Sequence, residues 1–192
     1  MKKFVIGLMF LGLASQGFAQ EEDKEASSKG VLLTGVTVSP VINSEYLAEV
    51  QEGVYSSLVL SLEDQVARFN MAKSPIHRIY KVPAEEYKIS FRQGNALIKA
   101  GFDNSGNLLW SIEKFKNIAC PENVRNTLIT EYRGWRMKGN TYFVHYTKEG
   151  ELRRVYKIEL ENGNKKQAIE LNPEGKHFDN AETSIAFDLA KN

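Results

Sequence analysis

The apolar residues of this chain change period along its length, and the changes mark out its elements. Residues 57–70 (SLVLSLEDQVARFN) place Leu58, Leu62, Val66 and Phe69 at steps of three and four, with Asp64 and Arg68 on the opposite side. That spacing predicts an amphipathic helix. From Tyr87 the period becomes two. Tyr87, Ile89 and Phe91 alternate with Lys88 and Ser90, Gln93-Gly94-Asn95 forms a turn, and residues 96–102 read as a second strand. After the turn at residues 103–107, Leu108, Trp110 and Ile112 alternate on a third strand. Alternation broken by turn residues predicts an antiparallel meander.

The pattern then repeats. Pro121 opens a second helix, where its missing N–H costs nothing, and Glu122 suits the positive end of the helix dipole. Val124, Leu128 and Tyr132 share one face, and Gly134 is placed to end the helix in the left-handed conformation. Residues 135–137, 142–147 and 152–160 read as extended. Asn162-Gly163 signals a two-residue hairpin, and residues 168–171 form the return strand. Ahead of the first helix, residues 31–38 (VLLTGVTV) read as a strand ended by Pro40, and residues 43–50 as a short helix capped by Asn43. An apolar helix stripe must be buried, and a one-sided antiparallel sheet offers the matching surface. The expected fold class is therefore α+β: antiparallel meanders with two helices packed on one sheet face, arranged as a tandem helix-plus-meander repeat. The expected halves are residues 31–118 and 119–176, followed by a tail at residues 177–192.

The N-terminus has a different character. Lys2 and Lys3 precede an apolar run at residues 4–13, too short to span a bilayer, and Gly17 and Ala19 are small residues at the positions a signal peptidase reads. Residues 1–19 are expected to be a signal peptide cleaved after Ala19, and residues 20–30 (QEEDKEASSKG) a disordered leader. The expected location is periplasmic or extracellular.

Charge and chemistry narrow the picture mainly by exclusion. The chain holds 25 basic and 24 acidic residues; removing Lys2 and Lys3 leaves 23 against 24, a net charge near −1. Such a balance argues against nucleic acid or a membrane surface as partner. Cys120 is the single cysteine, so no internal disulfide forms. His77, His145 and His177 are scattered, without a second ligand at metal spacing. The adjacent acids Glu85-Glu86 point apart in extended chain and make no catalytic pair. No phosphate-binding or nucleophile-elbow motif is present. Cys120 ahead of a helix, with His145 or His177, is the arrangement a thiol enzyme or hydrolase would need.

The run YKISFRQGNALIKAGFDNSGNLLWSIEKFKN at residues 87–117, Cys120-Pro121-Glu122-Asn123-Val124, Tyr132-Arg133-Gly134-Trp135, Val155-Tyr156-Lys157-Ile158 and Glu161-Asn162-Gly163 together resemble the exported PepSY-like proteins of Bacteroidetes. These are similar in architecture to the β-lactamase-inhibitor-protein (BLIP-like) fold. The chain departs from the family pattern in three places: Phe102 stands for a tyrosine, Cys120 for a leucine and Arg133 for a proline. The resemblance covers residues 32–175. It implies a periplasmic or secreted protein of unassigned function, with no cofactor and no established catalytic residues.

One remaining feature points to binding. Trp135, Arg136, Tyr142, Tyr146, Arg154 and Tyr156 lie on neighbouring expected strands, and aromatic and arginine side chains dominate protein interfaces. They are the candidate partner-binding residues, with cross-strand packing inside the sheet as the alternative role. The expected function is an exported, non-enzymatic binding module of the cell envelope that recognises a protein or peptide through its sheet face. The alternatives are an enzyme centred on Cys120 and a structural envelope component.

Overall fold

Six strands in strict sequence order form one antiparallel sheet: β1 (Tyr87–Gln93), β2 (Ala96–Phe102), β3 (Leu108–Lys116), β4 (Arg136–Thr147), β5 (Leu152–Asn162) and β6 (Lys165–Leu171). This arrangement comes from a computed structural model that describes residues 40–54, 56–74 and 85–178, all within a unit spanning residues 38–192. The expected signal peptide at residues 1–19, the leader at 20–30, the strand at 31–38, His77 and the tail beyond residue 178 lie outside the described residues.

Three α-helices join the sheet: α1 (Ser44–Val50), α2 (Ser57–Ala67) and α3 (Glu122–Glu131), with a 3₁₀ turn at Met71–Lys73. The architecture is α+β, as the alternation of periods implies. Buried residues from all three helices (Tyr46, Leu62 and Val124 among them) share one core with Ile98, Phe115 and Ile158 from the sheet. The helices therefore lie on one sheet face. α2 stops at Ala67, short of the expected Asn70, and Asp64 pairs with Arg68 one turn on, at 2.8 Å.

Three local expectations need correction. Asn43 does not cap α1. Its side chain reaches across to β3 instead, accepting from the Leu108 N–H at 2.7 Å and donating to the Gly106 carbonyl at 3.3 Å. On β3, Trp110 and Ile112 do not share the core face with Leu108. A bulge where β2 meets β3 at Gly101/Phe102 adds a residue, so Leu108 pairs with Phe102 while Trp110 pairs with Gly101. Parity flips there, and Ser111, Glu113 and Phe115 become the buried set. The β5–β6 turn is centred on Gly163-Asn164, because Asn162 already pairs with Lys165.

The entry to α3 is fixed from the sheet. Asn140 on β4 is buried; its amide accepts from the Ile118 N–H at 3.1 Å and donates to the Ile118 carbonyl at 2.8 Å. These bonds satisfy backbone groups that would otherwise be stranded in the core. The far side of α3 is held by the turn after β6, where the Thr127 hydroxyl donates to the Gly175 carbonyl at 2.7 Å.

Candidate functional site

In an antiparallel sheet, directly opposed residues point to the same face. The core row across the middle strands is Ile98, Glu113, Val144 and Arg154, and the neighbouring outer row is Arg92, Leu97, Lys114, Phe143 and Val155. Two kinds of site follow, one inside the helix–sheet interface and one on the outer face.

The inner site is a pair of carboxyl groups. Glu113 is brought inward by the β3 bulge, and Glu63 by its place on α2 between Val59 and Val66, all three fully buried there. Glu113 Oε1 accepts from the Tyr46 hydroxyl of α1 at 2.8 Å and from the Ser111 hydroxyl at 2.7 Å. Glu113 Oε2 and both Glu63 oxygens meet no donor among the described residues. Burial, then the Glu113 charge beside it, holds Glu63 far above the ordinary carboxylate range. Burial also raises Glu113, against the opposing hydrogen bonds from Ser111 and Tyr46. Two carboxylates cannot both ionise cheaply in such a place. Keeping a proton on one of the two carboxyls would give the pair a donor of its own.

Of the six residues singled out from sequence, four surround this pair or its tyrosine cover. Tyr142 and Tyr156 stack with ring centroids 4.4 Å apart, and Phe115 stacks on Tyr142 at 6.1 Å. Tyr146 meets the Tyr46 ring edge-on at 5.1 Å. Arg154 donates to the Glu52 carbonyl beyond α1 and partly offsets the Glu63 charge. Tyr142, Tyr146 and Tyr156 are buried, which corrects their expected place on a partner-facing surface: they face the helices and take the cross-strand packing role. The other two are not brought into this cluster. Trp135 is half-buried against the core, and Arg136 is exposed and paired with Glu161 across the β4–β5 ladder.

Glu63 and Glu113 escaped the sequence reading because they lie 50 positions apart. A signal was nonetheless present. Glu63 interrupts the apolar side of α2, and Glu113 alternates with Ser111 and Phe115 once the bulge is counted.

Cys120 does not have the surroundings of a nucleophile. It is buried, its sulfur accepts from the Asn140 amide at 3.5 Å, and burial pushes the thiol up to about 11. The described histidines are engaged elsewhere: His145 with Glu151 at 3.8 Å and His177 with Glu131 at 2.9 Å. The thiolate is the reactive form, so native protein at neutral pH is expected to resist a thiol-alkylating reagent and to react once denatured. Rapid labelling of the folded state would give Cys120 back its candidacy. Among the described residues, no group of three or more His, Cys, Asp or Glu side chains is placed to hold a metal.

The outer face has a different composition. Leu97, Trp110 and Ile112 are partly exposed, and Lys88, Arg92, Lys99, Lys114 and Lys116 stand among them on β1, β2 and β3. The Trp110 indole lies over Gly101, where an added Cβ would come within 2.3 Å of Nε1, and it donates to Glu86. Lys114 sits 5.6 Å from the Phe143 ring centroid on the adjacent strand. Toward the other edge Lys157 meets Glu170 at 3.8 Å.

No helix among the described residues is long and apolar enough to cross a membrane. No protein-family profile and no curated protein matches the chain. Among solved structures, the chain is similar to a DUF2874 family protein from Bacteroides uniformis ATCC 8492, with TM-score 0.33, 16% identity, and coverage of 54% of this chain and 81% of that one. A DUF2874 family protein from Bacteroides ovatus ATCC 8483 gives TM-score 0.31 and 12% identity over 54% of this chain and 79% of that one. A BLIP-like protein from Bacteroides fragilis NCTC 9343 gives TM-score 0.32 and 15% identity, over 52% of this chain and 69% of that one. The structural neighbours are thus DUF2874 and BLIP-like proteins of Bacteroides, and none of the three carries the PepSY description.

Proposed function

We propose that the protein is an exported binding module that holds an acidic segment of an envelope or secreted protein on the outer face of its sheet. The observation that carries this reading is the outer surface of β1, β2 and β3. There partly exposed Leu97, Trp110 and Ile112 are interleaved with Lys88, Arg92, Lys99, Lys114 and Lys116, while the described helices all lie on the other face. Apolar side chains supply the attraction of burial, and the surrounding cations select and orient an acidic chain. Lysine is ordinarily depleted at the centre of an interface, so a row of lysines between apolar residues fits a partner of opposite charge better than a neutral one. The lysines and short apolar run of the first nineteen residues support export.

The test uses residues 20–192 and a fluorescent peptide of alternating glutamate and leucine. The native protein is expected to bind it, with affinity falling as salt rises. The Lys99→Glu/Lys114→Glu double variant should bind about tenfold more weakly, a loss of about 1.4 kcal/mol. A lysine–leucine peptide should not compete. Equal binding by native protein and folded double variant, or no binding by either, would remove the outer face as the site.

A further inference from the structure

The buried acid pair plays no part in the outer-face reading, yet it is built from every layer of the molecule. Tyr46 reaches it from α1, Gln51 from the turn that follows, Glu63 from α2, Ser111 and Glu113 from β3, Tyr142 from β4, and Arg154 and Tyr156 from β5. Arg154 is the one cation among these groups, and its guanidinium is already directed to the Glu52 carbonyl. β2 contributes apolar Ile98 and Ala100 beside Glu113 and Ser111.

We propose that the proton held between Glu63 and Glu113 latches α1 to the sheet, and that α1 loosens when this proton leaves. α1 has only seven residues, far fewer than a helix needs to persist by itself in water. Its N-cap residue, Asn43, spends its side chain on β3, and no basic residue stands in its last turn. The helix is therefore maintained by what it touches: Tyr46 and Val50 in the core, the Tyr46 bond to Glu113, and the Gln51 amide on the Leu60 carbonyl at 3.0 Å. Loss of the proton leaves two carboxylates with the Tyr46 and Ser111 hydroxyls both on one Glu113 oxygen, the Gln51 amide already on the Leu60 carbonyl and the Tyr142 hydroxyl making no hydrogen bond. Hydration is the remaining way to satisfy the others. α2, with eleven residues packed on β1 and β2, and the sheet itself are the thick walls of the site. α1 is the thin one, so water enters by displacing it.

Amide hydrogen exchange on residues 20–192 tests this. Protection factors, corrected for intrinsic exchange, are measured for the Leu47 and Gln51 amides of α1 and its C-terminus and for the amides of β4 and β5 at pH 5.5 and pH 10.5, on either side of the value of about 10 to which Glu63 is raised. Native protein is expected to lose about tenfold protection in α1 at the higher pH, with β4 and β5 unchanged. Glu63→Gln should keep α1 equally protected at both values, because its amide donates to Glu113 without needing a proton. Constant α1 protection in native protein, or an equal loss in Glu63→Gln, would overturn the latch. Should that variant fail to fold, infrared spectroscopy of the native protein decides. The protonated-carboxyl stretch must be present at pH 5.5 and disappear with the same midpoint as α1 protection. A missing band or a different midpoint would also overturn the proposal.

Discussion

Glu63→Gln is expected to stabilise the protein at pH 8 by about 1–4 kcal/mol, the range seen when a costly buried charge arrangement is replaced by a neutral one of similar size. At pH 4 it should change stability little. The sign follows from where the proton sits in each state. In the unfolded chain both glutamates titrate near the ordinary value of about 4.3. In the folded protein burial raises both. Below the ordinary value the two states are equally protonated, and the carboxyl pair imposes no penalty. As pH rises, the unfolded chain ionises while the folded one must retain or recover a proton, so native stability declines. The loss runs from the ordinary glutamate range upward through the raised folded values. Glutamine needs no proton. Urea denaturation of both proteins at pH 4 and pH 8 should give curves that nearly coincide at the lower value and separate at the higher. A variant destabilised at pH 8 would mean that Glu63 does not carry the proton.

The second large effect concerns the turn after β6. Gly175→Ala is expected to lower stability by about 2–4 kcal/mol, read as a shift in denaturation midpoint. Gly175 has φ +78°, and a Cβ there would lie 2.6 Å from the Asn123 carbonyl oxygen and 2.7 Å from the Thr127 hydroxyl. The left-handed backbone alone costs a non-glycine residue about 1–2 kcal/mol. The clash adds the rest, because Asn123 O belongs to the backbone of α3 and cannot swing aside. Gly163→Ala separates the two contributions. That glycine also has positive φ, +57°, but an added Cβ meets nothing within 4 Å. It should cost only the backbone part. Equal losses at the two positions would show that α3 gives way to the added methyl.

How far the sequence could be read is clearest at particular residues. The period changes at Tyr87 and Pro121 mark real boundaries, because burial on one face imposes period two on a strand and three to four on a helix. The inward set on β1 follows directly from alternation. β3 misleads because one extra residue after a turn inverts every side chain beyond it, and no hydrophobic count locates a bulge without its partner strand. Asn43 has a cap's identity, but tertiary structure offers it one backbone group on β3 and one in the turn before it. The tyrosines of β4 and β5 were legible as one cluster but not as to which face was core, since both faces of residues 141–146 carry large side chains. The acid pair was hidden for a different reason. A carboxyl inside a core contradicts the polarity rule on which the reading rests, and it becomes visible only when α2 is laid across β3.

The tie between α1 and β3 also sets an order of events. Neighbouring strands are neighbours in sequence, and every pair except β3 and β4, which α3 separates, closes over a short turn. The bonds from Asn43 to Leu108 and from Tyr46 to Glu113 span 65 and 67 residues. Loop closure grows more costly with length, and contacts between distant positions slow assembly. α1 leaves the ribosome well before the strand that secures it. The part of this domain made earlier is thus fastened later, and weakening its fastening would speed detachment far more than it would delay formation of the sheet.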